Sequence, residues 1–544
     1  MINNFLICVL FFCYFLVQIK NLLFYLYLWQ LKEYHLKRFL AHFSTYNGKK
    51  IIFNLTNLLK IFLLCFLLFS QKINLNFYLI LSFYFILLGN FLISLFKKNI
   101  VKPKFTLKII FLFLFFTSLV LAFSKFLFFK EINNYFFANL LVFDILLPFL
   151  ISFFILFFQF FVSLYIKLLI LKAKKKREEF KNLLVIGITG SYGKTSTKEL
   201  LFTVLSSKFG EKVIKTREHI NAEVGIAKTI LENLNQNHKI FIAEIGAYER
   251  GKIKEVSEMI KPKIGILTGI CQQHLATFGS LENIQKGKFE LIESLEAQGI
   301  AILNWDNDFI KERFERIKDK LRVKKIIFCS TKEERADVFA KDFFASKNSI
   351  LFKVKTKDNQ EVDFKLNLIG IDYAINALLV AACALELGMN LNEISLALSK
   401  IKDKDTGCYL EKYNENTQII FATYSANPFG VMAHLNHLKL WQGKKIVIMP
   451  CLIELGKEAK EIHQKIGKEI AKNCDLGIII TKDYYQEVKS GAKTFGKEDK
   501  IIFSSRSEEI LKTVLSEIEK DKDNIILLEG RMPEKIISLF KKNV

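Results

Sequence analysis

No CxxC pair occurs among the nine cysteines of this 544-residue chain. That excludes a structural zinc site of paired thiolates and gives no disulfide framework, and Cys408 and Cys451 read as buried, reduced thiols. No RNA-binding motif and no basic–aromatic stripe accompany the positive charge, 78 Lys and Arg against 54 Asp and Glu. The net charge of +24 therefore does not point to nucleic acid. No cleavable leader is recognisable, because the first apolar run is one of several and not a single short one. Low-complexity linkers and internal repeats are also missing.

What is present is uneven. Up to about residue 172 the chain is dominated by Phe, Leu and Ile, in apolar runs at about 5–30, 51–70, 74–96, 108–129 and 137–171. Each approaches or exceeds the roughly 20 residues that cross a bilayer as a helix. Basic residues cluster in alternate loops: Lys32, Lys37, Arg38, Lys49 and Lys50; then Lys97, Lys98, Lys102, Lys104 and Lys108; then Lys172, Lys174, Lys175, Lys176, Arg177 and Lys181. The other two loops hold one lysine each, Lys72 and Lys130. The positive-inside rule then predicts five spans, the N-terminus outside and the rest of the chain in the cytoplasm. Lys60 interrupts the second run. Asp144, Pro148 and Gln159 lie inside the last one, where polar groups are either functional candidates or the packed side chains of a kinked helix.

From about residue 183, short β-branched runs alternate with helical patterns, which is the logic of a mainly parallel sheet. A second such series starts near 418. The expected organisation is an α-helical membrane region (1–178), a phosphate-loop α/β domain (179–400) and a Rossmann-like α/β domain (401–544), with charged "KIKDKDTG" (400–407) at the join.

The strand "LLVIGIT" runs into Thr189-Gly190-Ser191-Tyr192-Gly193-Lys194-Thr195-Ser196 and then a helix. Glycines let the backbone fold around phosphates, and a helix start presents free N–H groups to them. Gly190, Ser191, Gly193, Lys194, Thr195 and Ser196 are the nucleotide candidates, with Lys194 reaching the β/γ-phosphates and Thr195 holding Mg²⁺. Ile188 stands where the standard motif has its first glycine.

This TGxxGKT variant resembles that of the Mur ligases, ATP-dependent amide-forming enzymes of peptidoglycan precursor synthesis. Further segments are similar in the family's order: "TREHINAEVGIAKTIL" (216–231), "AEIGAYERGKI" (243–253), "LTGICQQHLATFGSLENIQKGKFELIESL" (267–295), "AILNWDND" (301–308), "INAL" (375–378), "TYSANP" (423–428) and "LIELG" (452–456). The last two look most like the branch that adds D-Ala-D-Ala. The resemblance covers about 183–544. It implies that ATP activates a muramoyl-peptide carboxylate as an acyl phosphate, which an amine such as D-Ala-D-Ala then attacks. Thr195 and Glu244 would hold one Mg²⁺ and His274 would help hold a second. Lys288 would be carried as a carbamate and complete the catalytic set with Lys194 and His274. Asn376 would read adenine, with Asn304 and Asp306 beside it. Asn221, Tyr424, Asn427 and Arg531 would meet substrate, and Glu454 is either structural or near the same cleft.

The pattern departs from the family in four places. Phe421 and Ala422 replace two aspartates, Asp372 replaces a histidine, and Cys408 replaces an arginine. Membrane runs also stand where the family's UDP-binding domain is expected, so the substrate is either UDP-linked or lipid-linked. The leading expectation is a multi-pass ligase of a bacterial cytoplasmic membrane, acting beside the lipid bilayer, with no nucleic acid and no obligate protein partner. The alternatives are a poly-γ-glutamate synthase-like ligase and a membrane scaffold with a degenerate nucleotide site. A transporter energised by ATP lacks a coupling signature.

Overall fold

The computed structural model describes residues 4–541, apart from 71, 98–99, 218–219 and 425. Lys98, the Glu218–His219 step of the 216–231 segment, and Ser425 of "TYSANP" thus lie outside the described residues. The chain divides into two compact units, Met1–Tyr165 and Ile166–Val544.

The first unit is helical: α1 (Asn4–Leu31), α2 (Leu36–His42), α3 (Tyr46–Ile52), α4 (Leu55–Phe69), α5 (Ile73–Phe96), α6 (Leu107–Phe128) and the start of α7 (Asn134–Glu178). Among the described residues, five segments are long and apolar enough to cross a membrane: Asn4–Leu31, Tyr46–Phe69, Ile73–Phe96, Leu107–Phe128 and Asn134–Glu178. The second begins earlier than its apolar run and is two helices. The Asn54 side chain accepts from the Asn57 N–H and starts α4 afresh, as an N-cap residue does. Polar side chains inside this unit find one another. Lys60 on α4 pairs with Asp144 on α7 at 2.9 Å, and Asn21 and Tyr84 donate to the same carboxylate at 3.2 and 3.1 Å. Pro148 is accommodated within α7, where Ser152 donates to its carbonyl at 2.8 Å. Lys108 reaches Gln159 at 3.5 Å.

In the second unit, Ile170 and Ala173 of α7 are buried in an apolar core. Lys176 donates to the Leu231 carbonyl and Arg177 to that of Ile260, at 2.9 and 2.8 Å. Part of the basic cluster is therefore used in packing within the second unit. The first sheet contains β1 (Leu184–Thr189), β2 (Val213–Lys215), β3 (Ile240–Glu244), β4 (Ile264–Leu267), β5 (Ile300–Asn304), β6 (Lys325–Ser330), β7 (Val338–Ala345), β8 (Ile350–Thr356) and β9 (Glu361–Leu366). Their order is β2-β3-β1-β4-β5-β6-β7-β8-β9. Pairing is parallel as far as β7 and antiparallel for β7–β8–β9. The sequence reading did not single out that hairpin extension.

Side chains alternate between the two faces of each strand. Ile186 and Ile188 face a core shared with α8 (Lys194–Phe209), α14 (Tyr373–Glu386) and α15 (Leu391–Leu398). Val185, Phe241 and Ala243 face another, shared with α9 (Glu223–Asn233), α10 (Lys252–Ile260), α11 (Leu275–Phe278), α12 (Leu281–Glu293) and α13 (Asp308–Ile317). Burial on both faces explains why these strands are apolar throughout.

The second sheet holds β10 (Tyr409–Asn414), β11 (Thr417–Ala422), β12 (Lys445–Met449), β13 (Leu476–Ile479), β14 (Ile501–Phe503) and β15 (Asn524–Glu529), in the order β10-β11-β15-β12-β13-β14. Only β10, absent from the sequence reading, is antiparallel. Helices α16 (Pro428–His437), α17 (Ala459–Asn473), α18 (Tyr485–Lys493), α19 (Ser507–Glu517) and α20 (Glu534–Phe540) complete this half. Residues 400–407 lie between the two sheets.

Candidate active site

The strand β1 sits between β3 and β4. Chain connections diverge to either side of it, and the carboxyl ends of strands at such a switch point form a crevice. Gly190 and Gly193 turn the chain there with φ of 156° and 78°. A Cβ on Gly190 would lie 2.1 Å from Thr268 Oγ1, and one on Gly193 2.7 Å from Asn376 Oδ1. Ser191 N–H donates to the Gly269 carbonyl at 2.6 Å, and the Tyr373 hydroxyl bonds Ser196. Lys194 opens α8 and folds back over the loop, donating to the carbonyls of Gly190 and Ser191 at 2.8 and 3.3 Å. Burial lowers its pKa against the pull of Glu244. This cradle of glycines, amide groups and one lysine suits a polyphosphate.

Glu244, fully buried at the end of β3, faces the loop. Its Oε1 accepts from Thr195 Oγ1 at 3.0 Å and from Asn221 Nδ2 at 3.1 Å. Its Oε2 stands 3.3 Å from Lys198 Nζ and has no hydrogen bond. Among the described residues no group of three His, Cys, Asp or Glu could cage a metal. One hydroxyl and one carboxylate beside a phosphate cradle nevertheless fit Mg²⁺, which in such sites takes few protein ligands and completes its shell with phosphate and water. Sequence reasoning missed Lys198. It is buried between Glu244 and Glu199, and Glu199 also pairs with Lys215. Its signal was its position one turn after Lys194, on the same helical face as buried Leu201 and Leu205.

Lys288, on α12, is buried, whereas Lys286 is half-buried and pairs with Glu282 at 2.6 Å. The Lys288 ammonium is pushed down to about 7, first by burial and then by Lys194. Its Nζ lies 3.5 Å from the Ala247 carbonyl and over the Phe278 ring. His274 takes a left-handed backbone, φ 65°, with the Tyr248 ring edge-on at 4.7 Å. Burial lowers its pKa, opposed by Glu454, whose Oε2 is 2.6 Å from Nδ1. Lys194, Lys288 and His274 thus fall within electrostatic reach of one another.

Asn376 packs against the loop and accepts from Thr197 at 3.3 Å. Asn304 and Asp306 are engaged locally. The Asn304 amide donates to Thr268 O at 2.6 Å, and the Asp306 carboxylate accepts from Ser330 and from both the N–H and hydroxyl of Thr331.

At the carboxyl ends of β11 and β15, Arg531 Nε donates to the Tyr424 carbonyl at 3.0 Å. Asn427 caps α16 through the Gly430 N–H at 3.0 Å. Phe429, next on α16, stacks on Tyr192 of the phosphate loop with ring centres 4.4 Å apart. Two of the departures from the family pattern converge nearby. Asp372 and Cys408 both lie beside His434, which is 2.6 Å from Glu529. Phe421 and Ala422 are instead core residues, Phe421 stacked on Tyr409.

Residues 188–384 match the model of the Mur ligase middle domain, and 410–532 that of the Mur ligase, glutamate ligase domain. A UDP-N-acetylmuramoyl-tripeptide–D-alanyl-D-alanine ligase of Buchnera aphidicola subsp. Baizongia pistaciae is 30% identical over 355 residues, covering 65% of this chain and 74% of the relative. The Escherichia coli ligase of the same name is 26% identical, over 58% of this chain and 67% of its own. A crystal structure of MurF from Acinetobacter baumannii superposes with a TM-score of 0.62 at 26% identity, covering 68% of this chain and 79% of that one. Residues 1–187 lie outside both domain matches, and the loop, Glu244 and Lys288 all fall within the first of them; the chain belongs to the Mur ligase family.

Proposed function

We propose that this chain is a MurF-type ligase that joins D-Ala-D-Ala to a muramoyl tripeptide at the cytoplasmic face of a bacterial membrane. The observation that carries the reading is the phosphate loop with Thr195 and Glu244 in contact beneath it, beside the buried amine of Lys288. The substrate carboxylate attacks the γ-phosphorus of ATP, giving an acyl phosphate and ADP. The amine then attacks the acyl carbon, phosphate leaves and a proton is lost. Phosphoryl transfer of this kind is chiefly positioning and charge neutralisation. The loop amides and Lys194 hold the phosphates, and Mg²⁺ held by Thr195 and Glu244 would offset the developing charge. A lysine titrating near 7 has a neutral amine available to CO₂, and the carbamate it forms would give Lys288 oxygen ligands for a second Mg²⁺ near His274. Asn376 would meet the base. Asn221, Tyr424, Asn427 and Arg531 would face the peptide and the incoming dipeptide. Asn304 and Asp306 would support the nucleotide side through the turns they hold.

Five apolar segments support a multi-pass membrane protein, and they precede the domains matched to the family. The muramoyl peptide is therefore presented on either a UDP or a lipid carrier. The test uses the full chain in detergent, measuring ADP release with UDP-MurNAc-tripeptide or its lipid-linked counterpart, with and without D-Ala-D-Ala. Dipeptide-dependent release that disappears in Lys194→Ala is expected. Release on neither carrier would overturn the reading, and release on the lipid carrier alone would replace UDP recognition.

A further inference from the structure

Two non-glycine residues with left-handed backbones meet across the second unit. His274 (φ 65°) precedes α11, and Glu454 (φ 64°) lies in the loop after β12. Such conformations cost of order 1–3 kcal/mol each and persist only where the surroundings hold them, commonly at functional sites. Here the two strained residues hold each other. Glu454 Oε2 is 2.6 Å from His274 Nδ1, and the Ala276 N–H donates to the Glu454 carbonyl at 3.2 Å. A Cβ on Gly456 would come within 3.2 Å of Leu275, so the 454–456 loop sits close on 274–276. The side chains are only 22% and 11% exposed.

An ionised carboxylate only accepts hydrogen bonds, so the proton between the two is on Nδ1. In a neutral imidazole that leaves Nε2 as the lone-pair nitrogen. A carboxylate fixing the far nitrogen of a histidine is the arrangement that orients metal-binding imidazoles and raises their basicity. Glu454 comes from the domain of the second sheet, whereas His274, Lys288 and the phosphate loop belong to the first.

We propose that Glu454 is a positioning residue of the ligase reaction: it sets the tautomer and orientation of His274, so that the His274 nitrogen is presented to the metal–phosphate side only while the 452–456 loop is seated on it. This rests on the reading of His274 as a residue of the metal–phosphate side.

The test compares the full chain with Glu454→Gln, Glu454→Asp, His274→Ala and the double variant Glu454→Gln/His274→Ala. Each is measured for kcat, for the KM of ATP, and for Mn²⁺ affinity in the presence of ADP by electron paramagnetic resonance. Glutamine preserves shape and can accept from Nδ1, but it can also donate to it, which removes the tautomer preference. Expected for Glu454→Gln are a fall of about tenfold or more in kcat and in Mn²⁺ affinity, as such outer partners give, and an ATP KM within about twofold. Glu454→Asp recovers part of both. The double variant is no worse than His274→Ala, because coupled residues are not additive. Unchanged kcat and Mn²⁺ affinity in Glu454→Gln, or a loss that adds in full to that of His274→Ala, would overturn the proposal. Substrate-independent ADP release by the unmodified chain would instead count against the ligase reading itself.

Discussion

The Lys60 ammonium and the Asp144 carboxylate stand 2.9 Å apart inside the helical unit, their side chains 7% and 0% exposed. Lys60 reads in the sequence as an interruption of an apolar run, and Asp144 as an isolated polar residue in another. In the fold each explains the other, with Asn21 and Tyr84 completing the carboxylate's hydrogen bonds. Breaking a buried pair leaves an uncompensated charge and costs about 3–5 kcal/mol, whereas replacing both partners with apolar residues is often neutral. Lys60→Met and Asp144→Leu should each lower the unfolding temperature of the detergent-solubilised protein, and the double variant should regain most of the loss. Thermal melts followed by circular dichroism check this.

At the phosphate loop, Gly190→Ala places a Cβ 2.1 Å from Thr268 Oγ1 and 3.0 Å from the Gly269 carbonyl. The nearest atom is the Thr268 hydroxyl, itself bonded to the Thr189 and Tyr192 carbonyls, and the next two are Gly269 backbone, so the loop itself must shift. ADP affinity measured by calorimetry should fall at least about tenfold, with the helical content of the protein unchanged, since the loop conformation depends on a residue without Cβ.

Lys288 gives a pH dependence with a defined sign. With its pKa lowered to about 7 by burial and by Lys194, the amine is mostly protonated below pH 7 and neutral above it. Only the neutral amine reacts with CO₂. Ligase activity in bicarbonate-depleted buffer should therefore be low, return on adding bicarbonate, and return less completely at pH 6 than at pH 8. Lys288→Arg, which keeps the charge but forms no carbamate, should be inactive under both conditions.

His434 carries a second pH dependence. Burial disfavours its charged form, but Glu529 and Cys408 outweigh burial and raise its pKa well above the ordinary value. A raised folded-state pKa contributes stability that is complete below the unfolded histidine pKa of about 6.5 and is lost as pH rises through the folded value. The melting-temperature gap between the unmodified protein and His434→Gln should be widest near pH 6 and shrink steadily towards alkaline pH. A gap that widens with pH would contradict the charged pair.

The elements most legible in the sequence were those set by neighbours along the chain. The five apolar segments follow from composition, because a run of Phe, Leu and Ile of about 20 residues is long enough to cross a bilayer as a helix. The strand–loop–helix at Leu184–Phe209 follows from β-branched residues, glycines in left-handed turns and a good helix former after them. Most parallel strands of both sheets were readable for the same reason, but the parallel strands β2 and β6 were not singled out. Less visible were the antiparallel additions β7–β9 and β10, whose register depends on strands already in place. The break at Asn54 inside the second apolar segment was also missed, since a single capping side chain decides it.

By itself, then, the sequence determined two α/β sheets, a phosphate loop and a set of membrane-length helices, each the product of short-range periodicity and turn chemistry. Only the tertiary structure decided that Lys198 lies against Glu244, that Lys60 answers Asp144, and that His274 meets a carboxylate 180 residues away. A buried charge must be neutralised wherever packing leaves it. Its partner is chosen by which elements come into contact in three dimensions, and no local pattern records that choice.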